Sequence, residues 1–366
     1  MNFPKVSDVI VVGAGVVGLS IARELRKSGA GKITVLDKGQ PGRESSWAAA
    51  GILAPQVEAD YDDDFFRLCF RSNKMYRDFA AELLDETGVD IELDQRGVLY
   101  TGFDDNDDAE FERRFAWQTK AGLRVEKLSA SEIRELEPNL SPAISLGLLF
   151  PDDGQVENRK LVNALIAYAN TNKIELKAGV EVHAIAADGS GFEITTNAEI
   201  YRAATVVVAT GAWTSFIQFP ENILTVEVKP IRGQMICYQP AQRFDHVVYG
   251  RRGYLVPRAD GRLLVGATVE DVGFDRTTTK EGINHLVSVG HELAPLLADM
   301  SVSESWSGFR PFSKGGKPVI GPVPTSRSLH IAVGHYRNGI LLAPITAKLI
   351  ADSVTGADGG WIAVNS

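Results

Sequence analysis

Two short stretches of this 366-residue chain combine residue types suited to holding anions. Gly13, Gly15 and Gly18 form G-x-G-x-x-G directly after the apolar, β-branched residues 9–12 and at the start of a helical pattern. In that setting the first glycine permits a tight turn, the second lets backbone approach a pyrophosphate, and the third lets helix and strand pack closely. Orphan N–H groups and the positive potential of the helix start then face the phosphates. Asp37 ends the next strand, where a carboxylate can accept from ribose hydroxyls and would repel a 2′-phosphate, so FAD or NAD is expected over NADP. The second stretch, GHYRNGILLAP (334–344), sets His335, Tyr336, Arg337 and Asn338 ahead of an apolar helical run to Ile350. Pro344 cannot donate back to Ile340, so this helix should begin late or irregularly and leave N–H groups free near residues 338–341.

The elements that must position these stretches read as an α/β unit interrupted by a β-rich one. Val16, Val17, Leu19, Ala22 and Leu25 share a helical spacing, and Gly29 is placed to end that helix. Residues 32–39 return as a strand, which makes a βαβ unit with a right-handed crossover. A small-residue stretch, SSWAAAGILAPQ (45–56), follows. The acidic residues from Glu58 to Asp64 read as the solvated start of a helix near 63–86, where carboxylates suit the dipole. Phe65, Leu68, Cys69, Tyr76, Phe79 and Leu83 fall on its apolar face. A further helix is expected to be capped by Asn158, and residues 204–213 read as a buried strand ending in glycine. From about residue 225 strands alternate in hairpins, with Asp260–Gly261 expected as a type I′ turn.

Composition narrows the function classes. Hydrophobic residues make up 44% and charged residues 23%, the balance of a soluble globular chain long enough for about two domains. A net charge of −9 argues against a nucleic-acid groove or an anionic membrane surface as the main partner. Cys69 and Cys237 stand far apart without metal-ligand spacing, so neither a disulfide framework nor a metal site is expected, and a reducing cytoplasm fits. No signal peptide and no apolar run of membrane-spanning length is read in the sequence.

Residues 8–39, SSWAAAGILAP, ATVVVATGAW, YLVPRADGRLLVGATVED, WSGFRP and GHYRNGILLAP together resemble the glycine oxidase branch of the FAD-dependent D-amino acid oxidase family, in order and over most of the chain. The resemblance implies a Rossmann-type α/β FAD-binding domain (1–88, 152–224 and 306–366) interleaved with a mainly antiparallel β substrate domain (89–151 and 225–305). It implies FAD as cofactor, with contacts from Gly13, Gly15, Val16, Val17 and Gly18 near the pyrophosphate and Asp37 and Lys38 near the ribose. Ser45, Ser46, Ala50, Gly51 and Ile52 follow toward the flavin, Val182 and Gly211 complete the cradle, and His335, Tyr336, Arg337, Asn338, Gly339, Ile340 and Leu341 wrap the ring. Small side chains at 48–51 let backbone lie against a planar ring.

By the same resemblance, Arg310 holds the substrate carboxylate with its planar fork, and Tyr254 and Arg337 share the catalytic pocket. The implied reaction is oxidative deamination of glycine and small amines such as sarcosine and D-alanine. Hydride passes to flavin N5, the imine hydrolyses to a 2-oxo acid and ammonia, and dioxygen is reduced to hydrogen peroxide. No histidine or carboxylate stands where the sequence compels a general base. A role in making the thiazole of thiamine and a homotetramer are further implications. The alternatives are a dehydrogenase of the same fold that passes electrons to a quinone, and an FAD-binding protein without turnover. Val269 and Ile52 stand where the family often has methionine, and Phe312 where it has glycine, which bears on pocket size.

Overall fold

The computed structural model describes residues 5–103, 105–189, 191–219 and 226–357. Lys5–Val12 is a strand whose apolar residues fill both faces of a sheet, and it pairs in parallel with Ile33–Asp37 and with Ile200–Val208. Glu175–Ala178 and Ser326–Val333 extend the parallel sheet at its two sides, and Val319–Val323 adds an antiparallel edge. Val12 lies opposite both Leu36 and Val208, so the three central strands end together and open a crevice at their carboxyl ends.

The helices Val16–Lys27, Asp64–Thr87, Asn158–Thr171 and Ala343–Thr355 pack together on one face of this sheet. The other face is covered by the antiparallel strands Val182–Asp188 and Gly191–Thr196, which join Ile200–Val208. Gly29 adopts φ 81° just past the first helix and ends it as expected. Asp63 accepts from the Phe66 N–H at 2.7 Å and caps the Asp64–Thr87 helix, which buries Leu68, Tyr76, Phe79 and Leu83.

The second sheet runs Glu304–Ser313, Val228–Tyr238, Leu263–Gly266, Gly253–Pro257, Val247–Gly250, Val98–Gly102, Leu146–Phe150, Glu126–Ser129. Its pairings are antiparallel except that of Val247–Gly250 with Val98–Gly102. The helix Lys280–Leu293 covers one face, setting Leu286, Val289 and Leu293 against Ile236, Leu255 and Val265. An α/β unit interleaved with a mainly antiparallel one is therefore the architecture, as the sequence implies.

Three local expectations differ. The strand Glu304–Ser313 pairs with Val228–Cys237 along its length, so residues 306–313 stand in the second sheet, although 306 was expected to open the last α/β segment. No turn residue marks the crossing before Gly315 and Gly316 (φ 80° and 71°), and the 224/225 boundary lies outside the described residues. Asn158 does not cap its helix: Glu157 does, accepting from the Arg159 N–H, while Asn158 donates to the carbonyls of Ser46 and Trp47. The Asp260–Gly261 turn is not type I′, because of the two only Gly261 has positive φ. Gly261 donates to Arg258, and Arg258 to Arg262, which is the three-residue loop with a glycine bulge. Among the described residues no helix is long and apolar enough to cross a membrane, and both cysteines are free and buried.

Candidate active site

A single cavity runs from the crevice of the parallel sheet to the second sheet, with about 2410 Å³ of non-atom space, its open mouth included. Its far end is built from backbone. Gly13 has φ 104°, and a Cβ there would overlap the Ala209 carbonyl oxygen. A Cβ at Gly18 would overlap the Gly13 carbonyl oxygen, so Gly18 lies behind the cradle as a packing residue and not on its wall. The Val16 N–H is satisfied by Ser46 Oγ at 2.9 Å, whereas the N–H groups of Gly15 and Val17 have no protein acceptor among the described residues. Asp37 accepts from the Ala14 and Gly39 N–H groups at 2.7 and 2.8 Å, and its remaining lone pairs can meet ribose hydroxyls. Lys38 sits with Nζ 4.0 Å from the centre of the Trp213 ring, and Val182 and Gly211 line the same end.

The small-residue stretch is strapped from the second sheet. Ser45 Oγ donates to the Phe309 carbonyl and Trp306 Nε1 to the Ala48 carbonyl at 3.0 Å. The buried Arg258 donates to the carbonyls of Ala50 at 2.7 Å and Val156 at 2.9 Å, and also meets Gln155, Asn158 and Glu157. A Cβ at Gly51 (φ 71°) would overlap the Val156 carbonyl oxygen, so smallness here answers packing as well as the open face that Ala50, Gly51 and Ile52 give the cavity.

Residues 335–340 form the adjoining wall. The helix begins only at Ala343, with Pro344 in its first turn, and the N–H groups of Gly339, Ile340 and Leu341 have no protein acceptor among the described residues. The His335 ring faces away from the cavity chemistry: it pairs with Thr346 Oγ1 at 3.1 Å, and burial lowers its pKa to about 4, so it is neutral. Leu341 is buried behind the wall, its carbonyl accepting from Ser72 Oγ at 2.6 Å. Phe312 packs edge-on against Tyr336, which gives that departure from the family pattern a local reason.

The near end is built from side chains. Arg310 projects from Glu304–Ser313, and a Cβ at Gly233 on the neighbouring strand would overlap its guanidinium. Nη1 donates to the Thr268 carbonyl at 2.9 Å, while Nε and Nη2 meet no carboxylate or carbonyl among the described residues and leave one edge of the fork free. Tyr254 is accommodated in the same way by Gly266, whose Cβ would overlap its ring. Arg337 stands exposed at the mouth, 5.3 Å from the Tyr336 ring centre, and Val269 is 53% exposed on the same wall. Burial pushes the Tyr254 phenol up, against the pull of Arg310, so it remains a donor at neutral pH.

Two residues on this wall were not singled out from sequence. Tyr249 lies 5.4 Å from Tyr254, ring to ring, and donates to Glu58 Oε1 at 3.1 Å. Glu58 is not part of a solvated helix start, as the acidic run suggested. It ends a separate turn, Pro55–Glu58, and its side chain is exposed to the cavity while the surrounding chain encloses that space. Burial raises its carboxyl above the ordinary range, opposed by Arg337, Tyr249, Arg310 and Arg114. Pro55, with a helix-starting φ and no N–H, was the available signal that a short element precedes the long helix.

The donors, the glycine cradle and the shape of the cavity fit FAD. The family model for FAD dependent oxidoreductases (DAO) matches residues 8–353. A glycine oxidase of Pseudomonas aeruginosa is 36% identical over 356 residues, covering 96% of this chain and 95% of that protein. The bifunctional protein ThiO/ThiG of Trichormus variabilis is 35% identical over 362 residues, and the match spans 52% of its length. The crystal structure of glycine oxidase from Geobacillus kaustophilus superposes with a TM-score of 0.94 at 32% identity, covering 98% of this chain and 97% of that one. The chain therefore belongs to the FAD-dependent oxidoreductases of the DAO family, and FAD is its cofactor.

Proposed function

We propose that the protein oxidises glycine and small amines such as sarcosine and D-alanine, with dioxygen as acceptor. FAD supplies the hydride acceptor and returns the electrons to dioxygen. The observation that carries this reading is the free edge of the Arg310 guanidinium, turned into the FAD cavity beside Tyr254. A planar fork without a protein carboxylate partner suits a substrate carboxylate, and holding it there removes much of the entropic cost of aligning the reacting carbon. Tyr254 donates to the same carboxylate. The free N–H groups of Gly339 and Ile340 provide fixed donors for negative charge that develops on the cofactor. Glycine, dioxygen and water then give glyoxylate, ammonia and hydrogen peroxide through an imine released to water.

The names of the glycine oxidase and ThiO/ThiG relatives support this substrate class and a role in thiamine biosynthesis. A cytoplasmic homo-oligomer is the expected form, and light scattering of the purified protein checks the assembly. The deciding experiment mixes the holoenzyme without oxygen with glycine, sarcosine, D-alanine or D-proline, follows flavin bleaching, and then admits air. Bleaching by glycine with rapid reoxidation and one peroxide per turnover supports the oxidase. No bleaching by any of the four would reject it, and slow reoxidation would favour a dehydrogenase.

A further inference from the structure

Of the acids on the cavity wall, Asp37 is held by two backbone N–H groups, Glu44 is paired with Arg276, and Glu181 stands next to Val182 at the dinucleotide end. Glu58 differs. It makes no ion pair among the described residues, and its one side-chain hydrogen bond is from Tyr249. Arg310 and Arg337 line the same cavity, and Tyr249, which donates to Glu58, packs ring to ring on Tyr254. Its backbone is also held firmly. Asp153 accepts from the N–H groups of Gln56 and Val57, and Arg114 donates to the carbonyls of Val57 at 2.6 Å and Ala59 at 3.0 Å, on either side of Glu58. A carboxylate so fixed, and engaged in no ion pair of its own among the described residues, is arranged for what enters the cavity.

Of the four arginines that line the cavity, Arg251 and Arg252 are paired with Asp107 and Glu292, and the other two, Arg310 and Arg337, are the equipment of a dicarboxylate site, yet the proposed substrates carry one carboxylate and one amine. We propose that Glu58 sets this selection, its charge cancelling the second guanidinium and turning away amines that carry a second anionic group. The inference rests on Arg310 as the carboxylate receptor, as argued above. Glycine, sarcosine and D-alanine place a cationic or neutral nitrogen and a small apolar group on the side away from Arg310, which a carboxylate tolerates. Iminodiacetate would bring a second carboxylate there, and like charges forced together are a strong means of rejection. With Glu58 neutral, Arg310 and Arg337 could each take one carboxylate.

The test compares wild-type holoenzyme with Glu58→Gln and Glu58→Asp. Flavin absorbance reports binding of glycolate (one negative charge) and malonate (two), and steady-state rates compare glycine with iminodiacetate. In Glu58→Gln the affinity for malonate relative to glycolate should rise at least tenfold, and the kcat/KM preference for glycine over iminodiacetate should fall at least tenfold. Glu58→Asp should keep the wild-type preference. Unchanged ratios in flavin-replete Glu58→Gln would overturn the assignment. Should that variant not retain flavin, Arg337→Gln gives the converse measurement: malonate should weaken at least tenfold relative to glycolate, and an unchanged ratio would overturn it equally. Failure of wild type to bleach with glycine would reject the proposed function, while the malonate-to-glycolate ratio would still decide the role of Glu58.

Discussion

The two ends of the cavity are made of different material. The dinucleotide end is backbone: positive-φ Gly13, unpaired N–H groups at Gly15 and Val17, and a strapped run of small residues. The end proposed to take the substrate is side chain: Glu58, Arg310, Arg337 and the hairpin pair Tyr249 and Tyr254, carried by separate segments of the chain. A backbone site is specified by where side chains must be absent, and it tolerates change only through glycine. A side-chain site can be retuned one residue at a time while the cradle persists, which is how one fold serves different amines.

That contrast can be broken at several points. Arg310→Ala should weaken substrate capture by about 2–5 kcal/mol, the range for truncating one partner of a buried charged pair, while flavin content stays normal. Measured kcat/KM for glycine and the absorbance ratio of flavin to protein check both halves; flavin loss in step with activity would mean the two ends are not separable. Acid should attack the fold of the α/β unit instead. His330 and His335 are neutral in the folded protein, with burial lowering each pKa from 6.5 to about 4, and both must protonate once unfolded. Their contribution is complete above about pH 6.5 and is lost as pH falls toward 4, at about 3 kcal/mol for each histidine. Denaturant unfolding at stepped pH measures this, and His335→Gln should flatten the fall.

Gly233→Ala sharpens the comparison from the other side, since a Cβ there would displace the Arg310 guanidinium without touching the cradle. The expected cost is about 1–3 kcal/mol, seen as a raised KM for glycine at normal flavin content. Under the proposed function, Tyr254→Phe removes one hydrogen bond to the substrate carboxylate and should cost about 1 kcal/mol in kcat/KM. Loss of all turnover in that variant would show that the phenol does more than bind.

The difference in material also explains what could be read from the sequence. Glycine spacing followed by a helix and an acid encodes the cradle locally, so Gly13, Gly15, Gly18 and Asp37 were legible by physical reasoning alone. Pro344 likewise announced the late helix start and the free N–H groups before it. Arg310 and Tyr254 drew attention only through resemblance, because a lone arginine before proline has many ordinary explanations. Glu58 was hidden by its neighbours: within a run of acids that cap and solvate a helix, nothing local marks the one that turns inward. Gly233 and Gly266 were illegible for a related reason, since their meaning depends on which side chain the adjacent strand delivers beside them. The strand Glu304–Ser313 was misplaced because sheet membership is decided by a partner about 75 residues earlier, which no short-range pattern reports.

The guanidinium of Arg258 leaves one sheet and spends its donors on the chain that skirts the other, at Ala50, Val156 and Asn158. Prising the halves apart along that seam would strip a buried cation of all those acceptors at once, a far steeper penalty than any small amine could repay by binding. Contact between the chamber and solvent is left to the part of the wall that carries Arg337 and Val269, both of them exposed.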